Sequence, residues 1–394
     1  MKRRIGIVGS GTAGLHLAYE LHEEFDVTVF HHRTAEQIRT GRVMSTQVHF
    51  GSTRRRENRF NMLEWDDQTA IETIHVSIGD QKLFAGELKE RALSVDQRLY
   101  FPCAMEDLAG KGVSFREVKV EKGEREALTD EFDLVIDCTG KSGPLFPFPA
   151  EEELSPFQTP QRKCIVGYFT GIKPVTPIGI NVIVLPELGE MFEIPALTEN
   201  GPVTILFVMA NLNNELDVFK GIKTSEEFTL RMRDTVLTFF PEIYNRIDER
   251  TFRLCDENGF LQMAITPVVR TPYLTYNHKL VIGCGDSFSL NDPITGQGSN
   301  LSSYCAEQLY ETLIENKDSL WNEQVGESYW KRTKQFVKEV TEWTNAMLLP
   351  LPEHVIKLLL SGAEDQSRAD KIAEWFADPR KAHQDFFAAA PKGK

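Results

Sequence analysis

The 394-residue chain carries 44 Lys and Arg against 58 Asp and Glu, a formal net charge of −14 at pH 7. With 41% hydrophobic and 26% charged residues, its composition excludes a disordered, a collagen-like or a membrane-bundle chain. The acidic excess argues against binding nucleic acid or an anionic membrane by bulk charge, but leaves room for a local anion site made of backbone amides and a few arginines. At about 150 residues per domain, the length suggests two or three domains.

Met1-Lys2-Arg3-Arg4 is followed by an apolar stretch too short and too glycine-broken for an export signal. No run of about 20 apolar residues is present to span a bilayer. The six cysteines, Cys103, Cys138, Cys164, Cys255, Cys284 and Cys305, are scattered without a C-x-x-C spacing, and so read as small buried side chains rather than disulfides or metal ligands. A cytoplasmic protein without a metal site is the expectation.

Arg3 to Val8 reads as a strand, Gly9-Ser10-Gly11-Thr12-Ala13-Gly14 as a tight turn, and Leu15, Ala18 and Leu21 as one face of a helix leading to a strand at Val27 to Phe30. Arg54-Arg55-Arg56 is the one compact basic run and reads as a solvated face. Val76 to Leu88 suggests antiparallel strands with turns at Gly79-Asp80 and near Gly86. A helix over Asp96 to Ala109 ends at Gly110-Lys111-Gly112, and Phe132 to Cys138 is an apolar run fit for a buried parallel strand. Prolines at 144, 147, 149, 156 and 160 mark a crossing between domains. β-like runs then fill 163–210, followed by a helix near 225–240 and more strand up to Val269. Lys279 to Cys284 is a further buried strand and Gly296 to Leu313 a helix. From Trp321 the pattern is helical, with Trp321, Trp330, Trp343 and Trp375 as packing anchors.

Two turns carry the chemistry. Gly9, Gly11 and Gly14 form a G-x-G-x-x-G between a strand and a helix: a tight turn, a close backbone approach to a pyrophosphate, and a helix N-terminus to bind its charge. The acidic residue that normally ends the second strand is replaced by His31-His32-Arg33. That substitution fits a 2′-phosphate, a flavin loosely held at its adenosine end, or simply three exposed polar residues. Late in the chain, Gly283-Cys284-Gly285-Asp286 is followed by Asp292-Pro293-Ile294-Thr295-Gly296-Gln297-Gly298-Ser299-Asn300 entering a helix. There an aspartate can accept ribityl or ribose hydroxyls, and a second helix N-terminus can face an electron-rich ring.

This pair of turns resembles the FAD-binding motifs of flavin monooxygenases of the aromatic-hydroxylase type. The resemblance implies an α/β fold with a Rossmann-like FAD-binding domain (para-hydroxybenzoate hydroxylase-like), a sheet-rich substrate domain and a helical C-terminal region. Gly9, Gly11, Thr12, Ala13, Gly14, Asp286, Pro293, Gly296, Gln297, Gly298, Ser299 and Asn300 would contact FAD. On these signals residues 1–145 and 275–320 form the FAD-binding domain, with inserted strands near 43–95; 146–274 form the substrate domain, and 321–394 the helical region. Single-chain members carry an Asp-Gly motif where this chain reads Asp137-Cys138-Thr139-Gly140-Lys141, so direct reduction by NAD(P)H is not expected.

Along essentially its full length the chain further resembles the oxygenase component of two-component styrene and indole monooxygenases. The resemblance rests on Arg4 to Gly9 through His16-Leu17, Val95-Asp96-Gln97-Arg98-Leu99-Tyr100, Cys138 to Lys141, Ser155-Pro156-Phe157, Pro160-Gln161-Arg162, the 283–304 segment, and Arg332 to Trp343-Thr344-Asn345. It implies FAD delivered already reduced by a partner reductase that consumes NADH, and reaction with O₂ to a C4a-hydroperoxide. The electrophilic oxygen would then epoxidise indole or a vinyl arene, indole going on to indoxyl and indigo. Carried over by position, Arg42 and Arg98 would also contact FAD. Ser45, Thr46, Gln47 and His49 would position substrate and hydroperoxide, with no acid–base residue needed. Ser45, Gln47 and Ala92 match the indole-preferring members, and His49 matches the styrene-preferring ones. A styrene monooxygenase proper and a single-component NAD(P)H-dependent hydroxylase are the alternatives, and a homodimer is left open.

Overall fold

The computed structural model describes residues 2–388. Its first sheet has six strands in the order Tyr273–Tyr276, Lys279–Gly283, Leu134–Asp137, Arg4–Val8, Asp26–His31 and Ser114–Glu117. All neighbours are parallel except the first pair. The central strands are near-continuous Ile, Val and Leu because both faces are covered. One face packs under helices Thr12–Leu21 and Gly298–Glu315, with Ile5, Ile7, Leu15, Ile282 and Leu301 in one core. The strand at Ser114–Glu117, with its polar run SFRE, carries no apolar signal and is an addition to the sequence reading.

The second sheet has eight strands. Its path runs Arg253–Leu254, Arg162–Thr170, Gly201–Asn211, Gly189–Thr198, Gly179–Leu185, Ile71–Ile78 and Gln81–Ala92, with Phe260–Met263 also paired to Arg162–Thr170. Period-two alternation decides the packing. Cys164, Val166 and Tyr168 enter one core together with Ile205, Phe207 and Met209. Ile165 and Phe169 enter another with Leu206 and Val208, against the helix Ser225–Phe239.

The strands expected as an insertion in the first unit instead join this second sheet, Ile71–Ile78 pairing in parallel with Gly179–Leu185. The expected turn near Gly86 is also corrected: Gly86 lies inside the strand Gln81–Ala92. A Cβ there would sit 2.2 Å from the Ala369 carbonyl oxygen, so glycine at this position admits a C-terminal helix, not a turn. That helix, Gln366–Ala377, belongs to a set with Glu323–Met347, Glu353–Ser361 and Pro379–Phe386. Trp321, Trp330, Trp343 and Trp375 are all buried, the first two against the first sheet and the others against the second. Among the described residues no helix is long and apolar enough to cross a membrane.

Candidate active site

A cavity of about 690 Å³ opens where the two sheets meet, within the range of small-molecule and cofactor pockets. Its upper wall is the first turn. Gly9 has φ +122°, and a Cβ on it would sit 2.1 Å from the Cys138 carbonyl oxygen; a Cβ on Gly14 would lie 1.9 Å from the Gly9 oxygen. Gly11 by contrast has nothing within 4 Å of its Cβ position and lines the cavity. The helix Thr12–Leu21 has neither a side-chain cap nor an acidic residue in its first turn, so its leading N–H groups are available to an anion.

The second turn stands beside the first, a Cβ on Gly285 lying 2.7 Å from the Ala13 Cβ. Asp292 accepts from the Ile294 N–H at 3.1 Å, and Gly296 takes a left-handed φ of 65°. The helix Gly298–Glu315 then starts without a side-chain cap. Gly298 also faces open space. Asp286 lines the cavity; burial pushes its carboxyl up to about 6, with the Lys141 ammonium working against that shift.

A third element is the 139–143 turn. Asp137, fully buried, accepts from Thr139 N and Oγ1 at 3.0 and 2.6 Å and from Leu145 and Phe146 N at 2.6 and 3.0 Å. Four donors of its own turn consume it. Lys141, two residues into that turn, donates from Nζ to the Met44 carbonyl at 2.7 Å and so ties it to the fourth wall, Met44 to Val48.

In that wall Ser45, Thr46 and Gln47 line the cavity. The Gln47 carbonyl oxygen accepts from Thr12 Oγ1 at 3.5 Å and from Gln97 Nε2 at 3.4 Å, while its amide nitrogen is buried without a partner. The floor is apolar, with Val166, Ile180, Phe192, Ile194 and Phe207 from one face of the second sheet. At the far end lie His31, His32, Arg33, Lys119, Glu121 and Lys122. Burial lowers the Arg33 pKa. Glu121 brings a carboxylate to this end from a different loop.

Of the residues singled out by sequence, Gly9, Gly11, Thr12, Ala13, Ser45, Thr46, Gln47, Asp286, Pro293, Gly296, Gly298 and Ser299 line the cavity. Gly14, Arg42, His49, Arg98, Gln297 and Asn300 lie outside its lining. Arg98 is buried against Asp96, Nη2 to Oδ2 at 2.8 Å, and against Asp256, Nη1 to Oδ2 at 2.9 Å. Arg42 is exposed and lies over the Phe260 ring at 4.9 Å. Gln297 donates to the carbonyls of Thr295 and Phe376. Asn300 spends its amide on Val48, Phe50 and Gly296. His49 turns away to Glu57, its Nδ1 at 2.7 Å from Oε1. Sequence reasoning passed over Gln97 and the floor residues Phe192, Ile194 and Phe207; alternation within the 163–210 runs is the signal that marks the latter.

Two uncapped helix starts and glycines open to one cavity fit a long bipartite dinucleotide. Residues 140–246 match the family model described as "Styrene monooxygenase A putative substrate binding domain". The styrene monooxygenase StyA of a Pseudomonas species is 33% identical over 393 residues, covering 97% of this chain and 94% of its own. Two solved structures share the fold at low identity. PqsL of Pseudomonas aeruginosa, described as a probable FAD-dependent monooxygenase, has TM-score 0.63 and 15% identity, over 93% of this chain and 98% of its own. The 2-methyl-3-hydroxypyridine-5-carboxylic acid oxygenase has TM-score 0.59 and 15% identity, over 96% and 98%. The fold is thus that of the FAD-dependent aromatic hydroxylases and monooxygenases, with mixed α/β sheets and a helical C-terminal region. Near-full-length identity to StyA joins that fold and this cavity in one assignment: the chain belongs to the styrene monooxygenase family and is a flavin-dependent monooxygenase.

Proposed function

We propose that the chain is the oxygenase half of a two-component system that epoxidises the C2=C3 bond of indole, and with it styrene-type vinyl arenes. It would use FAD delivered already reduced by a separate, NADH-consuming reductase. The observation that carries this reading is the convergence of the Gly9–Ala13 turn, the Pro293–Ser299 turn and Ser45 to Gln47 on one apolar-floored cavity.

In this reading the amides at the start of Thr12–Leu21 hold the pyrophosphate. Asp286 accepts ribityl hydroxyls, and the Gly296–Ser299 backbone meets the pyrimidine side of the ring. Arg33, His32 and Glu121 form the adenosine end. Bound and reduced, FAD supplies the oxygen-activating chemistry. Ser45, Thr46 and Gln47 orient the reacting double bond, while Val166, Phe192, Ile194 and Phe207 exclude water. His49, Arg98, Gln297, Asn300 and Gly14 shape these walls from behind, and Arg42 acts from the protein surface. The Asp137 carboxylate, consumed by its own turn, offers nothing to a second nucleotide, in keeping with an external reductant. Ser45 and Gln47 face the cavity whereas His49 does not, which favours the indole side of a mixed fingerprint.

We take 1–145 with 275–320 as the cofactor domain, except for the strands Ile71–Ile78 and Gln81–Ala92, which belong to the second sheet. Residues 146–274 form the substrate domain and 321–394 the C-terminal region, helical over its described residues. Free thiols at all six cysteines suit a cytoplasmic enzyme.

A competition between indole and styrene with photochemically reduced FAD and O₂ tests the proposal without any reductase. Blue pigment and styrene oxide are expected, with indole consumed first. Turnover driven by NADH and oxidised FAD alone overturns the two-component reading; preferential consumption of styrene overturns the indole assignment.

A further inference from the structure

Behind the 44–48 wall, outside the cavity lining, lie four buried polar side chains: His16, His49, Glu57 and Tyr100, none more than 7% exposed. Their hydrogens can be placed from the contacts. The Tyr100 hydroxyl donates to Glu57 Oε1 at 2.8 Å, and His49 Nδ1 lies 2.7 Å from the same oxygen. His16 Nε2 is 3.1 Å from the Tyr100 oxygen. Because the single tyrosine proton goes to the carboxylate, His16 Nε2 must donate to Tyr100, which fixes its tautomer. Burial keeps His16 neutral, its pKa lowered to about 3. Burial also pushes Glu57 toward its protonated form, but the opposing pull of His49 leaves its pKa below the ordinary carboxylate value. His16 Nε2 and His49 Nδ1 thus each carry a hydrogen, and Glu57 Oε1 accepts from both Tyr100 and His49. The cluster is a hydrogen-bonded anchor centred on one carboxylate.

That anchor joins the separate pieces of chain that make the wall. His16 sits on Thr12–Leu21, Glu57 on Gly51–Arg59 and Tyr100 on Gln97–Gly110, while His49 follows Gln47 by two residues. Gln47 itself is weakly held, since its two contacts are 3.5 and 3.4 Å long. Its place is therefore set by its backbone, which is held at His49 by the Leu93 backbone and, through the imidazole, by Glu57. Apolar side chains often replace buried ion pairs at no cost in stability, so stability alone does not call for a carboxylate here.

We propose that Glu57 is a positioning residue for the oxygenation, acting through His49 and Tyr100 to hold Ser45, Thr46 and Gln47 in register with the cofactor turn. The inference rests on the monooxygenase reading above. A displacement of about 1 Å at such a wall costs up to roughly a hundredfold in productive reaction. Glu57→Leu, matched in size but without acceptors, should therefore lower epoxide formed per reduced FAD by roughly tenfold or more, with hydrogen peroxide released instead. Affinity for oxidised FAD should stay near wild type. The thermal midpoint should fall, because Tyr100 and His49 lose their buried acceptor, and amide exchange over 43–50 should quicken more than elsewhere in the FAD-free protein. Glu57→Gln, whose amide oxygen can take the place of Oε1 and accept from both Tyr100 and His49, should recover most of the coupling. A Glu57→Leu protein with wild-type coupling and wild-type exchange overturns the proposal. So does a Glu57→Gln protein as uncoupled as Glu57→Leu, which would mark the carboxylate as a proton-transfer group. If Glu57→Leu does not fold, Tyr100→Phe must show the same shift in coupling and exchange at smaller size, and its absence overturns the proposal. A wild-type protein that forms no epoxide at all defeats the epoxidase reading instead; the exchange measurement then still decides the anchor.

Discussion

Asn300 and Val48 are joined across the cavity's edge, the Asn300 Nδ2 donating to the Val48 carbonyl at 2.8 Å. The other end of the same amide accepts from Phe50 N at 3.1 Å and Thr53 Oγ1 at 2.8 Å. One side chain at the start of the late helix thereby clamps the segment that carries Ser45 to Gln47, 250 residues earlier in sequence at Phe50.

This clamp gives a prediction that separates scaffolding from direct cofactor contact. Asn300→Ala strands a buried carbonyl, a buried N–H and a hydroxyl, and should destabilise the fold by about 2–3 kcal/mol. Urea unfolding measures that loss. FAD affinity should fall in proportion to the disorder of the wall. A variant of wild-type stability that has lost FAD affinity would show Asn300 touching the cofactor itself.

The first turn predicts a contrast between two glycines. A methyl at Gly14 would collide with the Gly9 carbonyl oxygen at 1.9 Å, so Gly14→Ala should cost about 1–3 kcal/mol through backbone displacement. Gly11, at φ −85° and with open space around its Cβ position, should accept alanine within about 1 kcal/mol. The added methyl would then stand where the pyrophosphate approaches, and FAD affinity should drop by roughly tenfold, or about 1.4 kcal/mol. Thermal midpoints and flavin fluorescence titrations on both variants give the comparison. Equal behaviour of the two would remove Gly11 from the binding surface.

What the sequence made legible follows from the range of each signal. The glycine turns and the buried strands are local patterns, so Gly9 to Ala13 and, later, Pro293, Gly296, Gly298 and Ser299 could be named and do line the cavity. Side chains at the margins of those motifs were harder to place. Arg98 is next to the cavity-lining Gln97, but its partner Asp256 is 158 residues away, and no spacing rule anticipates such a pair. The His16–Tyr100–Glu57–His49 cluster combines four distant positions in the same way. The strand at Ile71–Ile78 was visible as a strand, yet its parallel pairing with Gly179–Leu185 is a matter of topology, which alternation does not encode.

His16 gives the pH prediction. Its folded pKa of about 3 lies below its ordinary value of 6.5 because of burial. A group whose pKa is depressed on folding lends stability that is fully present above the unfolded value and lost as pH falls through the folded one. Between pH 6.5 and about 3 the unfolded chain therefore binds a proton that the folded chain refuses, and stability declines by up to about 1.4 kcal/mol per pH unit from this site. Glu190 acts in the opposite sense, since burial raises it from 4.5 to about 7, and its contribution is lost as pH rises through that window. Comparing wild type with His16→Gln cancels the Glu190 contribution, because that carboxyl is present in both. The amide introduced by His16→Gln can still donate to Tyr100, so the stability gap between the two proteins at pH 7 should be modest and should shift toward the variant at pH 5. Urea unfolding at the two pH values measures the gap. An identical gap at both would mean that His16 binds its proton in the folded protein as readily as in the unfolded chain; the cluster would then hold an imidazolium that still donates from Nε2 to Tyr100.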